Sequence, residues 1–474
     1  MKAKRLLSIL LVMVMVVTMF AACGNKNGDD SNTPDDTPTN VTPDGGDDDK
    51  DADTTDGDDK TPSGVAGLLN VEKLDNPNVT LDLYWETERA IVAGDDYVAD
   101  AIAEFEAKYG GKVTVNANGW GTGISVMQQN LAAGTPSDLQ FIEGNACFPN
   151  YATDNYLLPL NDLIGDDLGQ YYLDEASMDN FKYNDEYYAF SNYVVNKPYL
   201  VAFDRTFFEN YGVENPLELF QKGQWTWDKM VEYVELFTTD TDGDGTIDKW
   251  GLGPRYKYQN FGYASDAIPV REAGNGFIEA NFDTEIMLKY FEFVTKIETI
   301  QRKAEGNDGW LNGAEGNSNG AMYSEAGVEL ALVKDEETGE YSLSEYVDFV
   351  PMPTVDGALG QTPVWDTGLA IPKGSSNPLG GAVLAAMIMK TKADNYNDFL
   401  SGLLTSEQME RYNTMMANIV PQRKNDNLYD GVTLSYGEEE AKEGTPAQTI
   451  IDQYRGVITS EVQAYNTKLI KETE

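Results

Sequence analysis

The sequence contains no histidine and only two cysteines, and its 34 lysines and arginines are far outnumbered by 79 aspartates and glutamates. The absence of histidine excludes Ser-His-Asp and Cys-His nucleophilic catalysis, histidine general bases and histidine-ligated zinc. The formal net charge of −45 argues against binding nucleic acid or an anionic membrane through a basic face. We therefore expect no nucleic-acid partner.

The N-terminus is typical of an exported protein. Lys2, Lys4 and Arg5 precede an apolar run over residues 6–20, which is too short to be a good membrane span. Small residues then lead to Cys23, and this pattern resembles a bacterial lipoprotein signal over residues 1–23 with lipid attached to the Cys23 sulfur. An ordinary signal peptide that ends near a cysteine is the alternative. Two acyl chains would anchor the protein stably, and only through lipid, to the extracellular face of the cell membrane.

Residues 24–65 form a polar segment without aromatic residues. They carry 13 aspartates against three lysines, together with many Thr, Gly, Asn, Pro and Ser residues. Such a composition cannot bury a hydrophobic core, and we expect a disordered acidic tether. Residues 66–474 should then form the folded body. The second cysteine, Cys147, is expected to be a small buried apolar residue.

The folded body begins with a pattern of alternating strands and helices. Strands are predicted over residues 79–84, 112–116 and 138–142, with helical spacing of apolar residues over 97–109 and 124–133 between them. This order indicates a parallel sheet covered by helices, and therefore an α/β fold. Further helices are predicted later in the chain, at 227–237, 284–299, 380–390 and 406–416, and a last helix, capped by Thr445-Pro446, carries apolar residues from Ile450 to Leu469 on one face.

An acidic loop follows the first of these later helices. It places Asp240, Asp242, Asp244, Thr246 and Asp248 at alternating positions, with a glycine at the sixth place, which is how a short loop wraps Ca2+. The twelfth place, where an EF-hand carries a bidentate glutamate, is a glycine. We therefore predict a structural calcium site, bound by the four carboxylates and the Thr246 carbonyl, rather than a calcium sensor. An Asp/Gly-rich turn without an ion is the alternative.

Several segments in a fixed order resemble the family-1 extracellular solute-binding proteins that deliver sugars to ABC importers. No single motif is decisive, but the ordered set covers nearly all of residues 78–474. After the signal, tether and α/β segment it consists of Tyr187-Tyr-Ala-Phe190, Leu200-Val-Ala-Phe-Asp204, Gln224-Trp-Thr-Trp-Asp228, the acidic loop, Val347-Asp-Phe-Val-Pro-Met-Pro353 and Thr367-Gly-Leu-Ala-Ile-Pro-Lys373.

The resemblance implies a periplasmic-binding-protein-like fold, in which two α/β lobes joined by a hinge enclose a ligand cleft. The first lobe would comprise about residues 78–196 plus return segments, and the second about 197–345. Helices over residues 374–474 would pack across both lobes. The implied protein is a monomer that delivers its ligand to permease subunits.

A sugar site needs flat aromatic side chains for stacking, and carboxylates and amides for hydrogen bonds. Open α/β sheets bind ligands where their strands end, which favours residues that follow the first three strands. The resemblance adds residues at the crossover and on the return segment. The candidate ligand residues are Trp85, Glu86, Trp120, Glu143, Asn145, Asn192, Tyr193, Tyr323, Trp365 and Asp366.

The remaining tryptophans receive different predictions. Trp225, Trp227 and Trp250 are expected in the core of the second lobe, and Trp310 is either a mobile lid or an exposed loop residue. Residues 316–320 match the nucleophile pattern G-x-S-x-G, but no histidine can activate Ser318.

The expected function is capture of a carbohydrate, more specifically an oligosaccharide, for an ABC importer, without catalysis. A lipid-anchored glycoside hydrolase would need only two carboxylates and is an alternative that the two-lobe pattern disfavours. A surface glycan-binding or adhesion protein, and a binding protein for a non-sugar solute, are further alternatives.

Overall fold

The structure is a computed structural model that describes residues 67–83, 97–118, 123–144, 148–165, 167–192, 197–254, 257–274, 277–302, 307–335, 337–338, 341–421 and 436–473. The predictions for Cys23, Cys147, the signal and the tether lie outside these residues. The strands are β1 (Val79–Leu83), β2 (Val113–Ala117), β3 (Leu139–Glu143), β4 (Lys182–Tyr183), β5 (Glu186–Tyr187), β6 (Lys197–Asp204), β7 (Trp250–Leu252), β8 (Val270–Gly274), β9 (Phe277–Ala280), β10 (Gly320–Ala326), β11 (Leu332–Lys334), β12 (Tyr341–Leu343), β13 (Val347–Val350), β14 (Thr362–Trp365), β15 (Thr367–Ala370) and β16 (Ile419–Pro421).

The helices agree closely with the sequence-based expectations, and the predicted helices at 227–237 and 406–416 are confirmed at both ends. The helices are α1 (Tyr97–Tyr109), α2 (Gly123–Ala133), α3 (Asn150–Thr153), α4 (Asn161–Ile164), α5 (Glu175–Asp179), α6 (Arg205–Tyr211), α7 (Pro216–Gln221), α8 (Trp227–Phe237), α9 (Tyr258–Ala264), α10 (Glu285–Arg302), α11 (Pro378–Leu403), α12 (Ser406–Met416), α13 (Glu438–Lys442) and α14 (Ala447–Thr473).

The first sheet has the strand order β15-β3-β1-β2. Strands β1, β2 and β3 are parallel, and β15 returns antiparallel to β3. Parallel neighbours need a crossover between them, and helices α1 and α2 supply the two crossovers. This arrangement confirms the predicted parallel sheet at the start of the folded body.

The second sheet is built around β6 and has the order β16-β14-β6-β10-β7. Strand β10 pairs with one edge of β6, while β14 and β13 pair with the other edge, all of them antiparallel to β6. Strand β7 runs parallel to β10 and β16 parallel to β14. The chain therefore contains two separate mixed α/β units.

Each sheet has its own hydrophobic core, and helix α11 contributes to both. Ala382–Met389 pack into the core of the first sheet, whereas Leu400 packs with Ala202 and Phe349 of the second sheet. The helix has 26 residues and spans about 39 Å, since each helical residue rises 1.5 Å. The predicted helix at 380–390 thus continues well beyond its expected end.

Candidate functional site

Asp366 alone separates a strand of the second sheet from a strand of the first. Strand β14 ends at Trp365 in the second sheet, and β15 begins at Thr367 in the first. Asp366 is fully buried, and its carbonyl accepts a hydrogen bond from the Gly144 N–H at 3.0 Å. Because this connection is one residue long, the end of β14 and the start of β15 lie close together. This position lies between the two α/β units.

Strand register brings further side chains to this junction. Glu143, the last residue of β3, lies opposite Thr367, the first residue of β15. On the other side of Asp366, Trp365 lies opposite Lys197, the first residue of β6. Trp365 is partly buried against the core of the second sheet. Glu143, from the first unit, is therefore paired with the residue that follows Asp366, and Trp365, from the second unit, directly precedes Asp366.

Tyr199, two residues into β6, is the most informative side chain at the junction. Its residue exposure is 6%, because the ring packs in the core of the second sheet. Burial and the nearby acidic groups of Glu325, Asp366 and Glu143 raise the pKa of its hydroxyl well above the ordinary value. The phenol therefore stays neutral, and it can donate as well as accept a hydrogen bond.

Lys257 lies near Tyr199, and Tyr323 lies farther along the second sheet, opposite Ala202. A Cβ on Gly253 would lie 2.4 Å from the Tyr323 ring, so only glycine allows the ring to lie over the chain just after β7. Lys257, which precedes α9, is exposed, and its ammonium lies 5.8 Å from the centre of the Tyr199 ring. The region combines aromatic surface with charged and hydrogen-bonding groups, as a site for a polar organic ligand requires.

The structure thus places three predicted ligand residues at the junction, Glu143, Trp365 and Asp366, whereas Tyr323 lies farther along the second sheet, opposite Ala202, and its ligand contact stays a prediction. Asn192 is fully buried, and its side-chain amide donates to the carbonyls of Tyr172 at 3.0 Å and Met389 at 3.3 Å. Its amide therefore ties the segment before β6 to helix α11, and a ligand contact stays a prediction. The other candidates, Trp85, Glu86, Trp120, Asn145 and Tyr193, lie outside the described residues.

Sequence reasoning missed Tyr199, Glu325 and Lys257. Every residue of β6 after Lys197 is buried, so apolar alternation does not indicate which side chains face the junction. Glu325 is one acidic residue among many in the sequence. The pairing of β6 with β10 places Glu325 opposite Leu200 and Ala326 opposite Tyr199.

Three of the other tryptophans are buried in the second unit, and Trp310 lies in an exposed loop. Trp225, Trp227 and Trp250 are almost fully buried in the second unit, as predicted. The Trp310 residue is 46% exposed, but its backbone N–H donates to the Asn319 side-chain oxygen and its carbonyl accepts a hydrogen bond from the Gly320 N–H. Ser318 is buried and its hydroxyl accepts the Asn312 N–H, which agrees with a structural loop rather than a nucleophile.

The acidic loop lies between α8 and β7. Carboxylate oxygens of Asp240, Asp242 and Asp244 all lie within 4.8 Å of one another. Two ligands of one Ca2+ at 2.3–2.6 Å can be about 5 Å apart at most, so these three carboxylates fit a single ion. The carboxylate of Asp248 instead accepts hydrogen bonds from the N–H and hydroxyl of Thr241.

Backbone groups shape this loop from within. The N–H groups of Gly245 and Gly243 donate to Asp240 at 2.8 and 2.7 Å, and the Thr246 N–H donates to Asp244 at 2.7 Å. The Gly245 contact in particular holds the pKa of Asp240 below its ordinary value. The acidic loop ends where β7 begins, at Trp250. Gly253, which lies against the Tyr323 ring, follows the other end of β7, so the loop and this glycine lie at opposite ends of the strand.

Comparison with known proteins identifies the class to which this fold and junction belong: two-lobed binding proteins. The model of the bacterial extracellular solute-binding protein family matches residues 91–387, and the chain belongs to this family. Curated protein sequences give no significant match. No helix in the described part of the chain is long and apolar enough to cross a membrane.

Solved structures show the same fold at low sequence identity. The sugar-binding protein MalE from Xanthomonas citri has a TM-score of 0.61 and 14% identity, covering 84% of this chain and 100% of its own. The ABC substrate-binding protein Lmo0181 from Listeria monocytogenes, solved with cycloalternan, has a TM-score of 0.56 and 15% identity, covering 83% and 99%. A solute-binding protein from Agrobacterium radiobacter K84, solved with ribitol, has 0.58 and 14%, covering 81% and 98%.

Proposed function

We propose that this protein is the binding component of an ABC importer, and that it captures a carbohydrate, more specifically an oligosaccharide, between its two α/β units. The observation that carries the proposal is the junction at Asp366, where Glu143 of the first sheet lies close in register to Trp365 of the second. A ligand that contacts both units stabilises the closed form by its preference for that form. Family membership and the sugar-bound Listeria protein support this ligand class.

Binding without chemistry is the second part of the proposal. Solute-binding proteins hold a ligand for a partner and leave it unchanged, and the sequence has no histidine to serve as a general base. The ligand would then be handed to permease subunits. A polyol is a second candidate ligand, because the Agrobacterium neighbour was solved with ribitol.

The acidic loop is proposed to hold one structural Ca2+ through the carboxylates of Asp240, Asp242 and Asp244, with the Thr246 carbonyl and Asp248 as further ligands. Calcium supplies positive charge that offsets the repulsion between carboxylates held close together. Because the loop joins α8 to β7, the ion would stabilise the second unit rather than contact the ligand. Ion binding to the folded state alone raises stability by simple linkage.

Lipid attachment at Cys23 is proposed to place the protein at the outer face of the cell membrane. Replacement of Cys23 by alanine should release the protein from the membrane fraction into the medium. Mass spectrometry of the native N-terminal peptide should show the added acyl chains. An unmodified N-terminus other than Cys23 would support an ordinary signal peptide instead.

A thermal-shift panel of mono- and oligosaccharides and polyols, recorded in calcium, tests the proposed ligand class. We expect one oligosaccharide series to raise the melting temperature, and Trp365→Ala to reduce this shift. Phe261→Leu, a core change on α9, serves as a control for a general loss of stability, because it should lower the melting temperature and keep the shift. A shift only with polyols would favour the second candidate, and no shift with any compound would contradict both.

A further inference from the structure

A cavity of about 300 Å³ lies between helices α7 and α12 of the second unit, and none of the junction residues lines it. This volume is at the lower end of the range of about 300–1,000 Å³ that is common for small-molecule sites. Its apolar wall includes Leu217 and Phe220 of α7, Leu359 and Met415. Leu217 and Phe220 pack against one hydrophobic cluster of the second unit, and Met415 is buried in another. The cavity is therefore bordered by two hydrophobic clusters.

Arg411 of α12 lines this cavity and has hydrogen-bond donors that the protein does not use. Its side chain is only 7% exposed. Its Nη2 group donates to Asp348 at 2.9 Å, and its guanidinium lies 4.6 Å from the centre of the Phe349 ring. The Nε and Nη1 groups have no acceptor among the described residues. Because buried N–H groups nearly always have a partner, an acceptor oxygen of a ligand in the cavity would complete the bonding of this guanidinium.

The counter-ion that the protein supplies to Arg411 is shared. Asp348 also accepts hydrogen bonds from Arg205 at 2.6 Å and from Gln408 at 3.1 Å. Two guanidinium groups thus share one carboxylate, and these three charged side chains together carry a net positive charge. Since a buried charge is costly unless it is paired, this cluster favours a ligand carboxylate over a neutral carbonyl.

The exposed side of the cavity carries the opposite charge. Glu407 and Glu410 line the cavity and are both exposed. Together with Arg411 and Thr414 they occupy positions i, i+3, i+4 and i+7 of α12, which share one face of a helix. Glu407 also accepts a hydrogen bond from the Gln221 side chain at the end of α7, at 3.2 Å. These carboxylates favour a positive group on the ligand and disfavour a simple anion.

We propose that this cavity is a second ligand site, which binds an apolar amino acid in its zwitterionic form. The ligand carboxylate accepts hydrogen bonds from the unused donors of Arg411, and the ligand ammonium faces Glu407 and Glu410. Its apolar side chain packs against Leu217 and Phe220. The site goes beyond the proposed capture of a saccharide and does not depend on it.

Calorimetric titration of the purified protein with leucine and with phenylalanine tests the ligand class. We expect saturable binding of at least one of the two. Isocaproate lacks the ammonium group of leucine, and isoamylamine lacks its carboxylate. Each should bind about tenfold or more weakly than leucine, because each loses one charge-assisted contact. Isocaproate that binds as tightly as leucine would overturn the assignment of a zwitterion.

Thr414→Trp tests whether the ligand occupies this cavity. Thr414 is exposed and its hydroxyl donates only to the Glu410 carbonyl of its own helix, at 2.8 Å, so the fold should tolerate the larger side chain. The indole would fill the cavity, and amino-acid binding should be lost while the melting temperature stays close to that of the wild type. Asn413→Trp is the matched control, because it adds the same side chain at the next exposed position, which does not line the cavity. It should bind as the wild type does.

Arg411→Lys and Glu410→Gln test the two charged contacts separately. Lysine keeps a positive charge beside Asp348 and lacks the planar donor groups, so affinity should fall about tenfold or more. Glu410→Gln changes an exposed side chain and should weaken binding of leucine but not of isocaproate, which has no ammonium group. Glu285→Gln, an exposed change on α10, should affect neither.

The outcomes separate this inference from the proposed function. A protein that binds a saccharide but neither amino acid would overturn this inference and leave the proposed function intact. Amino-acid binding that Thr414→Trp retains would show that the ligand lies elsewhere, and would overturn the assignment of the cavity.

Discussion

Trp365 and Thr367 are separated by one residue, yet they belong to different sheets: Trp365 pairs with Lys197 of β6 and Thr367 with Glu143 of β3. So short a connection leaves little freedom for the two units to separate at this point. Any rotation of one unit against the other would have to pass through Asp366 and the other segments that join them. Helix α11 is one such segment, because its two halves lie in different cores.

Asn192→Leu should destabilise the protein without a specific effect on ligand affinity. The Asn192 amide donates to the carbonyls of Tyr172 and Met389, and the isosteric leucine leaves both acceptors without this donor. We expect a loss of about 1–3 kcal/mol in the free energy of unfolding, measured by urea denaturation. If stability is retained while affinity falls more than tenfold, Asn192 is a ligand residue as the sequence analysis predicts.

Asp348→Asn should be strongly destabilising. Asp348 is buried on β13 and accepts hydrogen bonds from Arg411 at 2.9 Å, Arg205 at 2.6 Å and Gln408 at 3.1 Å. Its loss leaves the buried Arg411 cation without a counter-ion, at a cost of about 3–5 kcal/mol in unfolding free energy.

The control for Asp348 is an exposed ion pair. Glu285 pairs with Lys289 at 2.7 Å on the surface of α10, and Glu285→Gln should change the urea midpoint very little. Equal effects of the two substitutions would contradict the assignment of Asp348 as the centre of a buried charge network.

Asp82→Asn should stabilise the protein at neutral pH and lose this advantage in acid. Burial raises the pKa of Asp82 above its ordinary value of 3.8, although Asn116 donates to its carboxylate at 2.6 Å. The folded state therefore holds the proton more tightly than the unfolded chain. The favourable contribution of this carboxyl is complete below pH 3.8 and is lost as the pH rises through the folded-state pKa.

Urea denaturation of wild type and Asp82→Asn at pH 7 and near pH 4 measures this effect. The gain from the substitution should be larger at pH 7 than near pH 4. Asp75→Asn, an exposed change just before β1, should show no such difference. A gain that is independent of pH would mean that Asp82 is not the group that titrates.

Removal of calcium should lower the melting temperature more than it lowers ligand affinity. The three clustered carboxylates of Asp240, Asp242 and Asp244 repel one another without an ion, and their loop lies at the start of β7. EDTA should therefore lower the melting temperature by several degrees while affinity stays within about twofold. Asp244→Asn should abolish the response to EDTA. Unchanged stability together with lost binding would contradict a structural role.

The sequence predicts the parallel sheet and most of the helices because apolar spacing reflects burial directly. It underestimates α11, since Lys390, Lys392 and Asp394 interrupt the apolar pattern where the helix passes from one core to the other. It also misses Tyr199, because a strand buried on both faces carries no alternation. Trp365 and Asp366 are found only through family resemblance, and strand register explains why they meet Glu143.

Calorimetric titration of the purified protein with the best oligosaccharide, followed by chromatography of the recovered sugar, tests the central claim most directly. The account predicts saturable binding of one saccharide per protein, recovery of the sugar uncleaved, and at least tenfold weaker binding by Trp365→Ala. Absence of binding across the saccharide panel, or recovery of cleaved sugar, would contradict it.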